Sequence, residues 1–338
     1  MGIMSIGFYR AGLIGDNVVA LHGIYATKFL YPNSKLVVYT NTFGINLYSQ
    51  FDFIDYLVNV ESLSDSELIE NINSYMFSCF ILTQPNRSKS KLLLNTNCGR
   101  IITFLTLWNL TKPRFEGIFM SRNFNNTPQY QRILNLVYRI NPSHYKEHYK
   151  NIDFSAIRLT SNSNNKAKIA QFLLESKLDS KPLVIINPFV RSTHCNLSID
   201  GYCSLIATLS SMYPNIAIVI PTYKGNEDIS SNLAKLDNVA IFCNDSDLLN
   251  IVALLESSSL LISPSTGISH IANNLEVPMI WLCSRRDKCL WRGDHMDLDF
   301  FIVLRQTSNK MSKASENIYI SLIIDKFSKL INDISKKH

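Results

Sequence analysis

The run Ser263-Pro264-Ser265-Thr266-Gly267-Ile268-Ser269-His270 places hydroxyls, a glycine and a histidine where the apolar LLIS (260–263) gives way to GISHIANNL (267–275), whose spacing is helical. A joint at which a strand ends and a helix begins exposes free backbone N–H groups and the positive end of the helix dipole. No acidic side chain neutralises them here, so the joint suits an anion, a phosphate above all. Gly267 lets a phosphate reach the backbone, Thr266 offers a hydroxyl, and His270 lies one turn into the helix. The competing reading is ordinary N-capping by Ser265 or Thr266 beside a packed histidine. A second candidate is Asp16, which closes the glycine loop Arg10-Ala11-Gly12-Leu13-Ile14-Gly15-Asp16. A carboxylate there can serve as a general base, or it can cap a helix starting at Asn17. A third candidate is the basic set Arg87, Lys89, Lys91 and Arg100, which can meet an anionic ligand or simply coat a solvated loop.

The elements that must position these groups follow from periodicity. MSIGFY (4–9) reads as a strand, NVVALHGIYATKFL (17–30) as a helix, and KLVVYT (35–40) as the next strand. Strand, glycine turn, helix and strand make a βαβ unit, whose crossover implies parallel pairing. FILT (80–83), RIITFLTL (100–107) and GIFM (117–120) continue this half. A second series starts near residue 182, with strands predicted at LVIINPF (183–189), IAIVIP (216–221), NVAIFC (238–243), LLIS (260–263) and MIWLC (279–283). Helices are predicted at 199–213, from residue 248, and at 267–275. Two α/β domains are therefore expected, 1–165 and 166–315. The closing helix, 316–336, has Ile320, Ile323, Ile324, Phe327, Ile331 and Ile334 on one face, and is expected to pack back on the first domain. Tandem parallel sheets are expected to face one another across a central cleft, with ligands at the carboxyl ends of the strands.

Composition narrows the function classes. The chain has 338 residues, 46% hydrophobic and 18% charged, which suits a folded protein of two domains. No apolar run reaches the ~20 residues of a membrane span, and the first residues lack a secretory pattern. The seven cysteines (79, 98, 195, 203, 243, 283, 289) form no CxxC pair and read as reduced thiols of a cytoplasmic protein. A net charge of +6 without a basic arm argues against a nucleic-acid partner. The opening loop lacks GxGxxG, which argues against a dinucleotide-dependent dehydrogenase, and no GxSxG marks a serine hydrolase.

Three longer segments carry a resemblance. STGISHIANNLEVPMIWL (265–282) resembles the C-terminal signature of glycosyltransferase family 9, the ADP-heptose:lipopolysaccharide heptosyltransferases: Asp-Thr/Ser-Gly-x-x-His, then Ala, then Val-Pro. RAGLIGDNVVALHGIYATKFLYPNSKLVVYT (10–40) resembles the family's opening. INPFVRSTHCNLSIDGYCSLI (186–206) resembles the strand, loop and helix that start its second domain. The three lie in the family's order across most of the chain. The resemblance implies an α/β GT-B fold of two Rossmann-like domains and inverting transfer of heptose from ADP-heptose to a lipopolysaccharide or lipooligosaccharide core.

In that reading Asp16 is the base. Ser192, Thr193, Glu227, Ser265, Thr266, Gly267 and His270 bind the donor, and Arg10, Arg87, Lys89, Lys91 and Arg100 the acceptor. The reaction uses no metal or other cofactor, so the pairs Asp245/Asp247 and Asp297/Asp299 are not metal sites. The partners implied are a nucleotide sugar and an anionic glycolipid, at the cytoplasmic face of the inner membrane. Two positions depart from the family: Ser265 replaces its aspartate, and Cys195 stands where a lysine is expected. The alternatives are another nucleotide sugar, for some other surface glycan, or a non-catalytic sugar-nucleotide-binding relative.

Overall fold

Each half of the chain is a sheet of buried apolar strands joined by helices that run over its faces. The computed structural model describes residues 4–119, 126–190, 195–223, 233 and 236–335, with side chains to 331. The chain divides after Arg158 into two units.

The first unit opens with β1 (Ser5–Tyr9), α1 (Ile14–Leu30) and β2 (Lys35–Thr40), the two strands pairing in parallel from Ser5↔Lys35 to Tyr9↔Tyr39. It continues through α2 (Thr42–Tyr48), β3 (Tyr56–Asn59), α3 (Asp65–Ser74), β4 (Cys79–Leu82), α4 (Arg87–Leu94), β5 (Arg100–Leu105) and β6 (Phe115–Phe119). It ends with α5 (Gln129–Tyr138) and α6 (Pro142–His148). The sheet order is β3-β2-β1-β4-β5-β6, all parallel. Strands such as LVVYT are apolar on both faces because helices cover both sides of a parallel sheet.

The second unit runs α7 (Ser163–Glu175), β7 (Leu183–Ile186), α8 (Ile199–Met212), β8 (Ala217–Tyr223), β9 (Val239–Asn244), α9 (Leu248–Glu256) and β10 (Leu260–Pro264). Then come α10 (Gly267–Asn274), β11 (Met279–Cys283), α11 (Arg285–Leu290), β12 (Phe301–Val303) and α12 (Lys313–Ser335). Its order, β12-β11-β10-β7-β8-β9, read from the far edge, repeats the pattern of the first sheet. Both are doubly wound, and both reverse direction beside their first strand: between β1 and β4, and between β7 and β10.

Two expectations are corrected by packing. The units part at 158/159 rather than 165/166, because the segment leading into α7 is tied to the second unit. Leu159 N–H donates to Asn274 Oδ1 at 2.8 Å, and Asn165 Nδ2 donates to Asp247 and Asn250 at 2.7 and 2.9 Å. The closing helix shows the predicted apolar face but lays it on the second sheet, not the first. Ile320, Ile323, Phe327 and Ile331 join the core built on Val184, Ile218 and Ile280.

Glu316, in the first turn of α12, also reaches the start of α8, accepting Ser198 N–H at 2.5 Å and Ser198 Oγ at 3.0 Å. Phe327 is fully buried, with its ring 5.1 Å from that of Tyr213. Replacing it with Ala is expected to cost about 3–5 kcal/mol, a loss that urea denaturation would register. A negligible shift would show that α12 is not part of this core.

Candidate active site

In the first unit the turn after β1 is a cage of buried polar groups. Arg10, 2% exposed, donates from Nη2 to Asp16 Oδ1 at 2.5 Å and from Nε to the Asp16 carbonyl at 3.0 Å. The helix begins at Ile14, within the glycine loop and three residues before Asn17, so Asp16 is not an N-cap ahead of Asn17. It sits in the first turn and folds back, its Oδ2 accepting the Leu13 N–H at 3.0 Å. Capping and chemistry are therefore not exclusive here. Gln84, in the turn after β4, adds a third donor, from Nε2 to Oδ1 at 3.4 Å.

The loop itself is held by its carbonyl: Gly12 O accepts from Asn17 Nδ2 at 3.1 Å and Asn41 Nδ2 at 2.8 Å. Gly12 has to be glycine, because a Cβ there would lie 2.6 Å from Asp16 Cβ. Burial lowers the Arg10 pKa and the Asp16 charge opposes it, while burial raises that of the Tyr48 hydroxyl beside them.

The basic candidates separate. Residues 86–91, read as a loop or an anion-binding stretch, form the start of α4, with Asn86 accepting Lys89 N–H as its N-cap at 2.8 Å. Lys89 is half-buried with Nζ 4.7 Å from the Tyr9 ring centroid, and its pKa is lowered first by burial, then by Arg10, and raised by Asp16. It belongs to the Asp16 cluster. Arg87 and Lys91 are exposed on the same helix.

Arg100 stands apart from this cluster. It opens β5 at the amino edge of the sheet and is spent on Glu116 at 2.6 Å and on the carbonyls of Arg139 and Ile140 at 3.0 and 3.1 Å. Arg10 is likewise committed to Asp16 rather than free for a ligand.

In the second unit the switch point lies between β7 and β10. Asn187, buried at the end of β7, donates to Ser263 Oγ and Thr266 Oγ1, both at 3.1 Å, and so ties the two turns together. Thr266 is the N-cap residue of α10, but its hydroxyl faces Asn187 and Ser263, and Ser269 Oγ accepts the Thr266 N–H at 3.1 Å. The first turn of α10, from Gly267, contains no acid. The start of α8 contrasts with it: Asp200 and the carboxylate of Glu316 already neutralise that end. Of the two helix starts flanking the switch point, α10 is the one left for an outside anion.

Ser265 is buried at this joint. His270 is buried too, edge-on to Trp291 with ring centroids 5.6 Å apart. The turn after β7 also lines a cavity of about 440 Å³ with Phe189, Asn196, Ser198 and Tyr223.

Ser192, Thr193 and Glu227, with Arg191 and His194, lie outside the described residues. Three of the four carboxylates of the Asp-x-Asp pairs have partners within the fold. Asp247 caps α9 through Leu249 N–H at 2.9 Å, Asp245 pairs with Lys168, and Asp297 caps the short turn at Asp299 N–H, 2.9 Å. Among the described residues no helix is long and apolar enough to cross a membrane.

The model of glycosyltransferase family 9 (heptosyltransferase) matches residues 123–317, more than half of the chain. The chain belongs to glycosyltransferase family 9. Solved structures agree on the fold. A family 9 glycosyl transferase from Veillonella parvula superposes with TM-score 0.76 at 12% identity, covering 98% of this chain and 99% of that one. E. coli ADP-heptose lps heptosyltransferase II gives 0.73 at 13%, covering 98% and 100%. E. coli heptosyltransferase WaaC, solved with ADP-2-deoxy-2-fluoro heptose, gives 0.65 at 13%, covering 96% and 99%. No curated protein matches by sequence. This family 9 chain is thus a glycosyltransferase with the GT-B pair of doubly wound sheets.

Cys195, where a family 9 enzyme is expected to carry lysine, supplies no cation. Burial, then Asp287, raises its thiol pKa and keeps it neutral. Asn187 and Gln84 escaped the sequence reading because a lone amide carries no spacing signal. The Arg10–Asp16 pair makes a prediction independent of activity. Asp16→Ala leaves a buried guanidinium without its partner and is expected to destabilise the protein by about 3–5 kcal/mol in urea denaturation. Adding Arg10→Met should recover much of that loss, and a strictly additive double variant would show that the two side chains do not act as a pair.

Proposed function

We propose that this chain is an inverting heptosyltransferase. It moves heptose from ADP-heptose to a hydroxyl of an anionic lipopolysaccharide or lipooligosaccharide core, with Asp16 as general base and the first turn of α10 receiving the diphosphate. Family membership and the likeness to E. coli proteins whose names give ADP-heptose or heptosyltransferase support the donor.

One observation carries the assignment of the base. A carboxylate has about four lone-pair positions. Two on Oδ1 are taken by Arg10 and Gln84, and one on Oδ2 by Leu13 N–H. The remaining direction, on Oδ2, has no donor among the described residues and can take the proton of an acceptor hydroxyl while that oxygen attacks the anomeric carbon and the C–O bond to the diphosphate breaks. Three fixed donors orient the carboxylate, so its contribution is mainly positional, applied as the hydroxyl acidifies in the transition state.

On the donor side, developing charge on the diphosphate falls to the α10 N–H groups and Thr266, with Ser192, Thr193 and Glu227 as further donor contacts. His270, held against Trp291, acts by shaping the helix. No metal is assigned a part in the transfer; of the Asp-x-Asp carboxylates, Asp245 is paired with Lys168, and Asp247 and Asp297 serve as caps. Lys89 is the acceptor contact nearest the base, with Arg87 and Lys91 further along α4. A lipid-linked acceptor would bring the protein to the cytoplasmic face of the inner membrane, where the exposed Leu107 and Leu110 beyond β5 could touch lipid.

A second reading, another nucleotide sugar, is favoured by Ser265 and Cys195, and one screen separates the two. ADP and ADP-sugars should raise the melting temperature through binding to the folded state, worth about 2.7 kcal/mol at a hundredfold excess over Kd. Stabilisation by UDP or GDP compounds instead would refute the ADP-heptose assignment. Asp16→Asn, the gentler change, is expected to lower kcat about 10²–10⁴-fold while leaving the ADP-induced shift intact. Unchanged turnover would remove Asp16 as the base. Gly12→Ala, which pushes on the same carboxylate, should lower kcat with little effect on donor binding.

A further inference from the structure

We propose that His144, Glu147 and His148 on α6 form a binding site for one divalent transition-metal ion of the Zn²⁺ class, separate from the transfer chemistry. The spacing His-x-x-Glu-His puts all three side chains on one face of a helix, since positions i, i+3 and i+4 adjoin. One ligand atom from each lies within 4.8 Å of the other two. Around a tetrahedral ion with bonds of ~2.0–2.2 Å, ligand atoms lie about 3.4 Å apart, so the site closes by small side-chain rotations. Glu147, 71% exposed at its side chain, can make that rotation without disturbing a neighbour, and its Oε2 already lies 3.7 Å from His148 Nε2.

The tautomer of His144 is fixed by its surroundings. Its Nε2 lies 2.8 Å from the carbonyl oxygen of Leu30, and a carbonyl only accepts, so Nε2 carries the proton. Nδ1 of the neutral ring then holds a lone pair. This is the arrangement in which a metal-binding histidine donates its other N–H to a backbone carbonyl, fixing the ring's orientation. The carbonyl belongs to the last residue of α1, one of the helix-end acceptors that has no partner within the helix. The centroids of the two imidazoles stand 4.4 Å apart, with the ring planes at 61°.

Two imidazoles and one carboxylate select Zn²⁺, Co²⁺, Ni²⁺ or Cu²⁺ over Mg²⁺ and Ca²⁺, which require oxygen ligands. The half-exposed face leaves water to complete the shell. The site is at the far end of α1 from Asp16: 14 residues at about 1.5 Å each put roughly 21 Å between them along the axis. An ion there would hold His144 in the orientation that bonds the end of α1 and would not touch the reacting groups.

The test is Zn²⁺ titration calorimetry and Co²⁺ absorption on the full chain, its His148→Ala variant and its Glu147→Gln variant. His144 is kept so that its bond to Leu30 survives, and circular dichroism confirms that each variant is folded. The expected result is one saturable equivalent of Zn²⁺, a rise in melting temperature with Zn²⁺, and a loss of at least about tenfold in affinity in His148→Ala. Co²⁺ should give visible d–d bands without intense near-ultraviolet thiolate charge transfer. Three results would overturn the proposal: no saturable binding, a titration unchanged in both variants, or a thiolate band placing the ion on cysteine. Should His148→Ala fail to fold, the exposed Glu147→Gln variant decides by the same readings.

Discussion

Everything chemical in this chain depends on where two parallel sheets change direction. Parallel neighbours must be joined by crossovers, and such crossovers keep one hand, so a sheet that grows first to one side of its opening strand and then to the other sends successive connections over opposite faces. Beside the opening strand the two turns diverge, leaving an uncovered edge at the carboxyl ends. The order 3-2-1-4-5-6 occurs in both sheets, so the chain has two such edges. Asp16, Gln84 and Lys89 come from the turns and helices at the first. Asn187, Ser263 and Thr266 come from those at the second. Residues tens of positions apart in sequence meet because topology leaves these edges open.

Electrostatics then distinguishes the two. At the first edge a guanidinium is buried, a state that needs a fixed counter-charge, so Asp16 is held by the same interaction that makes Arg10 tolerable. A rigid carboxylate is the consequence, whatever its role in proton transfer. At the second edge the logic is one of omission. Both α8 and α10 point their amino ends toward the switch point, and the protein's own Asp200 and Glu316 satisfy α8. α10 has hydroxyls and a glycine in place of acids, so its partial positive charge remains available. The closing helix contributes to this asymmetry, because Glu316 rides on α12.

Much of this was legible in the sequence, and the misses have physical causes. Strands buried on both faces read as unbroken apolar runs, so most of both sheets was found. β3 and β12 are short and partly exposed, and lack that signature. Helix α1 starts three residues before the predicted Asn17, because its N-cap, Leu13, is apolar and its capping group, Asp16, lies inside the first turn. The basic stretch at 86–91 carries no apolar period that would mark a helix, yet Asn86 caps one there. The apolar face of α12 was legible at Ile320, Ile323, Phe327 and Ile331, with Ile324 partly buried and the Ile334 side chain outside the described residues, but periodicity says which face is buried and nothing of the partner. Both amides that complete the edges, Gln84 and Asn187, were invisible for the same reason: a hydrogen bond between distant turns leaves no local pattern.

The departure at Ser265 fits this electrostatic scheme better than it first suggests. Residue 265 is buried immediately before the N-cap of α10. A carboxylate at that point would lie beside the amino end of the helix and interact favourably with its dipole, by roughly 0.3–1 kcal/mol or more where partly buried. It would thereby compete with any anionic ligand for the same N–H groups, unless it were itself engaged elsewhere. Serine removes that competition and adds no charge. The missing lysine at Cys195 acts the other way, since a neutral thiol withdraws a cation from the β7–α8 turn. One change leaves the positive end of α10 without a neighbouring carboxylate and the other leaves the β7–α8 turn without a cation, so the balance shifts from a mobile side-chain cation toward fixed backbone dipoles. For a diphosphate leaving group this favours preorganised stabilisation, because dipoles built into the fold need no rearrangement as charge develops.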